Sequence, residues 1–123
     1  MGIRVLNIGQ CGYDSGQIEG LLTRVFDATI DHSPSKTDAI RCSTQNSYDL
    51  ILVNRLLDVD RSSGLDLIRD FIDRGTTVPI MLISNLPSAQ DSAVELGAIR
   101  GFGKAELNAP ETESRLRSIF NGN

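Results

Sequence analysis

Three short runs are apolar along most of their length: Ile3-Arg4-Val5-Leu6-Asn7-Ile8, Tyr48-Asp49-Leu50-Ile51-Leu52-Val53 and Val78-Pro79-Ile80-Met81-Leu82-Ile83. A strand with one wet face alternates apolar and polar residues, because successive side chains point to opposite faces. Near-continuous apolar runs belong instead to strands covered on both faces, hence to a parallel sheet with helices on each side. The segments between the runs supply those helices. Ile18, Leu21, Leu22, Val25 and Phe26 recur at amphipathic helical spacing, with Asp14 or Ser15 as the expected N-cap. Leu65, Leu67, Ile68, Phe71 and Ile72 mark another helix, and Gly75 falls where a left-handed C-terminal cap belongs.

The weaker elements fill the gaps. Ala28–His32 reads as a second strand, and Ser33-Pro34-Ser35 opens a second helix reaching Cys42 or Ser43, with Ala39 and Ile40 on its face. Ser88–Leu96 predicts a fourth helix stopped by Gly97, and Ala98–Phe102 a fifth strand. Ala109-Pro110-Glu111 starts a last helix whose apolar face is Leu116, Ile119 and Phe120. Five βα units with right-handed crossovers give a doubly wound α/β fold, a five-stranded parallel sheet with helices on both faces. Its functional crevice lies at the carboxyl ends of the strands. Gly9, Gln10, Asn54, Ser84 and Lys104 all fall at strand ends or just beyond.

With 123 residues, the whole chain 1–123 is read as one domain with one core. A net charge of −4 and no long basic run argue against direct nucleic-acid binding by this segment. No apolar stretch approaches the roughly 18 residues that cross a bilayer. No basic-then-apolar leader opens the chain, so a cytoplasmic location and no membrane contact are expected. Cys11 and Cys42 have no metal-ligand spacing and read as half-buried thiols. A nucleophile pair of Cys11 with His32, the single histidine, would need contact at about 3 Å, and His32 sits away from the crevice. Gly9, Gly12 and Gly16 match neither the dinucleotide fingerprint nor a P-loop and read as tight turns.

The order and spacing of five pieces give the chain a resemblance. They are Tyr48-Asp49-Leu50-Ile51-Leu52-Val53-Asn54, Gly64-Leu65-Asp66-Leu67-Ile68, Val78-Pro79-Ile80-Met81-Leu82-Ile83-Ser84, Leu96-Gly97-Ala98 and Lys104. Together they resemble the receiver domain of bacterial response regulators, with its flavodoxin-like (βα)5 fold, over nearly the whole length. The resemblance implies an acidic pair for Mg²⁺ after the first strand, where Gly9 and Gln10 stand, and a phosphoacceptor aspartate at Asn54. It implies a hydroxyl residue retained as Ser84, and a lysine retained as Lys104 but followed by Ala105 rather than proline. The aromatic switch position is Gly101; Phe102, shifted by one, should point to the opposite face.

All three carboxylates of the family are thus replaced together. A carboxamide is a poor nucleophile toward phosphorus and a weak ligand for a hard cation. The expectation is a pseudo-receiver: no enzymatic activity, no metal, no cofactor, and a role as a protein-interaction module in a signalling pathway. Receivers commonly pair through the fourth helix, fifth strand and fifth helix. Here that region carries Asp91, Glu95, Arg100, Glu113, Arg115 and Arg117, which could pair across a two-fold axis of a homodimer. Two alternatives stand beside this reading. One is a small-anion or nucleotide-binding module using Lys104, Ser84 and the Gly9-Gln10-Cys11-Gly12 loop at a helix N-terminus. The other is a true receiver using a displaced aspartate, Asp58 or Asp60.

Overall fold

A computed structural model describes residues 2–121. Five strands, β1 (Arg4–Ile8), β2 (Thr29–Ser33), β3 (Leu50–Asn54), β4 (Ile80–Ile83) and β5 (Ile99–Phe102), form one sheet in the order β2-β1-β3-β4-β5. Every pairing is parallel. The order reverses between β1 and β3, which places the crevice over their carboxyl ends. The helices are α1 (Gly12–Phe26), α2 (Lys36–Gln45), α3 (Gly64–Asp73), α4 (Pro87–Leu96) and α5 (Pro110–Phe120), and a 3₁₀ turn spans Lys104–Glu106.

The sheet is covered on both faces, as the apolar runs require. Leu6, Ile8, Ile51, Val53 and Leu82 pack with Leu67, Ile68 and Phe71 of α3 and Ala93 of α4. Val5, Leu50, Leu52, Met81 and Phe102 pack with Ile18 and Leu22 of α1 and Leu116 of α5. Burying a Leu or Ile side chain contributes about 1.5–3 kcal/mol, so these two layers dominate the stability.

Helix ends depart from the sequence reading in ways that matter for the site. Helix α1 begins at Gly12 with Cys11 as its N-cap, so neither Asp14 nor Ser15 caps it. Gly12 and Gly16 therefore lie in a helix rather than in turns; only Gly9 of the three turns the chain, at φ 77°. Ser33 ends β2 instead of opening α2, whose cap is Ser35, accepting from the Asp38 amide. Helix α3 is capped the same way by Ser63, and Gly75 and Gly97 follow α3 and α4 with φ 82° and 115°.

Candidate functional site

Asn54 closes β3, and its Nδ2 donates to the carbonyl oxygens of Gly9 at 3.1 Å and Leu56 at 2.8 Å. Both acceptors are carbonyls, so only the NH₂ end of the amide fits there. An ionised aspartate has no proton to give and would face two oxygens. The amide therefore ties the loop after β1 to the loop after β3.

That tie brings Leu57 over Gly9. A Cβ on Gly9 would lie 2.6 Å from Leu57 Cγ and 2.9 Å from its Cα, and φ at Gly9 is left-handed. Leu57 is fully buried. The place that the resemblance gives to the first acid is covered by an apolar side chain. Gln10, the second position, is 1% exposed; its carbonyl faces the His32 ring at 3.3 Å, and its amide has no partner among the described residues.

The loop from Arg55 to Ser63 is a folded turn. Leu56 and Ser63 form an antiparallel bridge, Leu57 N donates to Ser62 O at 3.0 Å, and Arg61 holds a left-handed φ of 58°. Asp60 accepts from the Ser62 hydroxyl at 2.7 Å and amide at 3.0 Å, and from the Lys36 amide at 3.0 Å. Those hydrogen bonds, the Ser62 hydroxyl first, hold its carboxyl below the usual range. Asp60 thus serves the first turn of α2, while Asp58 is exposed and donates its amide to Gly9 O. Neither lines the hollow described next.

Beyond Asn54 the carboxyl ends of β3 and β4 border a hollow of about 420 Å³. Ser84 and Lys104 line it, as the sequence places them, together with Arg55 and Arg61. Ser84 Oγ accepts from Leu86 N at 3.1 Å, which leaves its hydroxyl proton free to donate. Lys104 lies on the 3₁₀ turn, and its ammonium pairs with Asp14 at 2.8 Å. The lysine bond holds the Asp14 carboxyl below its ordinary range. Lys104 is not a free cation, and the crevice keeps one acid, taken from the first turn of α1. The helix starts earlier than read, which turns Asp14 inward toward the lysine.

Gly101 sits where β5 bulges: Met81 pairs with Ile99 but Ile83 with Phe102. A Cβ at Gly101 would collide with the Leu82 carbonyl, so no aromatic side chain fits this backbone. Phe102 points to the α1/α5 layer. Buried Gln90 takes over the bulge, donating to Leu82 O at 2.9 Å and Ser84 O at 3.1 Å and accepting from Gly101 N at 2.9 Å. Arg115 of α5 donates to Gly101 O at 2.8 Å.

Four of the six charged groups considered for a dimer form ion pairs within one copy. Arg100 meets Asp91 at 2.8 Å and Arg117 meets Glu113 at 2.7 Å. Cys11 and Cys42 are free and half-buried. Cys11 Sγ donates to Asp14 at 3.2 Å, while the His32 ring faces Gln10 O, so the two form no nucleophile pair. No cluster of three or more His, Cys, Asp and Glu residues able to hold a metal is found among the described residues. No helix there is long and apolar enough to cross a membrane.

Leu57, Arg55 and Arg61 were missed from sequence. The available signal was Arg55-Leu56-Leu57 directly after β3, an apolar pair and a cation at the expected crevice.

No protein-family model matches the chain, and no curated protein matches it either. Solved structures do. The receiver domain of a DNA-binding response regulator from Colwellia psychrerythraea is similar at TM-score 0.80 and 19% identity, over 97% of this chain and 98% of that one. A two-component response regulator from Clostridium difficile gives 0.78 and 21%, over 99% and 98%. The receiver domain of NtrX from Brucella abortus gives 0.75 and 14%, over 98% and 99%. With five parallel strands in the order described, the chain has the fold of a response-regulator receiver domain.

Proposed function

We propose that this chain is a signalling module that works without phosphoryl transfer, with a protein partner as its readout and no enzymatic activity of its own. The observation that carries the reading is the Asn54 amide, bonded to two backbone carbonyls where an acceptor needs a free carboxylate. An acyl phosphate forms only from a carboxylate oxygen held as nucleophile. A magnesium ion takes an octahedral set of oxygens at about 2.1 Å, usually with carboxylates among them. Leu57 over Gly9 and the Lys104–Asp14 pair leave no such set.

Output on this reading follows from a partner that prefers one conformation, since only differential affinity shifts an equilibrium. The surface of α4 and β5 suits protein contact. Val94 and Ile99 are exposed there, and Arg100 beside them is already paired with Asp91. A homodimer through α4, β5 and α5 is one form such contact takes.

The test is intact-mass analysis after incubation with acetyl phosphate and Mg²⁺. The expected outcome is an unchanged mass, together with a melting temperature that millimolar Mg²⁺ leaves where Na⁺ at equal ionic strength leaves it. A phosphoryl adduct, on Asp14, Asp58, Asp60 or any other carboxylate, would overturn the reading.

A further inference from the structure

We propose that the hollow beside Asn54 binds a phosphate monoester with an apolar body, non-covalently and without a metal ion. The proposal rests on the reading that this crevice carries no phosphoryl transfer, and it names what the vacated space takes instead.

The first argument is charge. Arg55, Arg61 and Lys104 line the hollow and no carboxylate does. Lys104 is neutralised by Asp14, but Arg55 and Arg61 form no ion pair among the described residues. Two arginines thus border a concave space that no carboxylate lines. Fixed guanidinium forks suit the oxygens of a phosphate, and a concave wall concentrates their field. Where the resemblance implies an acidic hollow that needs a cation, this chain presents a basic one. The sign of the preferred ligand is inverted.

The second argument is donor placement. The Ser84 hydroxyl has a proton to give, because its oxygen already accepts from Leu86 N. It stands two residues before the N-cap Leu86 of α4, a ten-residue helix whose N-terminal end favours negative charge. Arg61 is held in left-handed backbone at φ 58°, a conformation an arginine adopts only when the fold over-determines it. The Leu57–Ser62 and Leu57–Arg61 backbone bonds do so, fixing the loop that delivers Arg61 to the rim.

The third argument is the rest of the lining. Leu56, Ile83 and Leu86 contribute to the same hollow, and Leu86 is 48% exposed. A bare phosphate would leave that wall in water. At about 420 Å³ the space also exceeds what one phosphate fills and lies within the range of small-molecule sites. A head-and-body ligand uses both walls.

The experiment is ¹H–¹⁵N NMR titration of the full chain in EDTA with phenyl phosphate, inorganic phosphate and sodium chloride at matched ionic strength. Phenyl phosphate is expected to give saturable shifts at the Arg61, Ser84 and Lys104 amides, with affinity falling as salt rises. Inorganic phosphate is expected to bind about tenfold more weakly, having no apolar body to cover the leucines. Arg55→Ala with Arg61→Asn, asparagine being tolerant of left-handed backbone, should weaken phenyl phosphate by about a hundredfold, a factor of ten per charge-assisted contact. Both arginines are exposed, and an unchanged melting temperature of the variant certifies its fold. Absence of saturable shifts overturns the proposal. So do shifts that chloride reproduces, a variant that keeps native affinity, or inorganic phosphate binding as tightly as the ester. A covalent adduct in the mass experiment would sink the function proposed above and with it the premise of this site; a failed titration with no adduct would sink this site alone.

Discussion

Where the strands of this sheet begin, Arg4 and Asp31 answer each other; where they end, Arg55 and Arg61 form no ion pair among the described residues. At the entering edge Arg4 donates to Asp31 at 2.6 Å from Nη2 and 3.1 Å from Nε, and Tyr48 donates to the same carboxylate oxygen at 2.7 Å. The Arg4 guanidinium also lies 5.2 Å from the centre of the Tyr48 ring. At the leaving edge the backbone is pressed close. Side chains at Gly9, Gly64, Gly101 and Gly103 would meet Leu57, Asn54, Leu82 and Asn85, and Arg61 is left-handed. The first edge is a structural clasp. The second is crowded and carries arginines with no ion pair among the described residues. The positions where the resemblance implies acids are not left open: Leu57 covers Gly9, and Asn54 bonds two backbone carbonyls.

Restoring the family's acids is the most direct way to break this contrast. Gly9→Asp is expected to have the largest effect. It sets a branched side chain into left-handed backbone and drives its Cβ onto Leu57. The cost should exceed about 3 kcal/mol, combining overpacking with backbone strain. Urea denaturation measures it. Combining Gly9→Asp with Gln10→Asp and Asn54→Asp should leave the chain largely unfolded rather than competent for Mg²⁺. A folded triple variant that gains an Mg²⁺-dependent rise in melting temperature would show that the crevice is merely depleted, not rebuilt.

Much of the fold was legible because both-face burial writes itself into the sequence as apolar runs. Leu50–Val53 and Ile80–Ile83 are buried throughout. The runs overshot at their starts. Tyr48 and Val78 are apolar, yet Asp49 and Pro79 connect by single backbone bonds to Arg4 and Ile51 before the regular pairing sets in. The positions of Asn54, Ser84 and Lys104 were legible too, since strand ends follow from the runs. Their partners were not. Asp14 meets Lys104 across 90 positions, and nothing local distinguishes an inward acid from an N-cap when the helix start is misplaced by three or four residues. Leu57 could not be weighed either, because only the folded turn brings it over Gly9.

Asn54→Asp alone should have the next largest effect and an unusual pH dependence. It removes two hydrogen bonds and sets a carboxylate against the Gly9 and Leu56 carbonyls, at a cost of about 2–3 kcal/mol at neutral pH. Those carbonyls disfavour the charged form, so the folded-state value of the new acid lies above its unfolded value of about 3.9. Relative to the unchanged chain, the variant therefore recovers as pH falls through the folded value and is worst above it. Urea midpoints for both chains between pH 7 and pH 4 check this. A gap that widens on acidification would mean the amide tie does not exist.

The entering edge predicts the reverse slope at smaller amplitude. The Tyr48 hydroxyl first, then Arg4, holds the Asp31 carboxyl below its ordinary range. Its contribution is fully present above the unfolded value of about 3.9 and is lost as pH falls through the lower folded value. Side-chain exposures of 40% for Arg4 and 32% for Asp31 leave the pair partly screened, so Asp31→Asn should cost about 1 kcal/mol at pH 7. An asparagine oxygen still accepts from Arg4 or Tyr48, which keeps the loss small. As pH falls from about 4 through the lowered folded value, the difference between the two chains should shrink toward zero, because protonation then does to Asp31 what the substitution does. In Asn54→Asp the added charge is what harms the fold; in Asp31→Asn the removed charge is what held it. The two variants should therefore run in opposite directions as charge appears, Asn54→Asp losing stability as its new acid ionises and the native chain gaining as Asp31 does. Equal slopes of one sign would erase the distinction between a clasped edge and a crowded one.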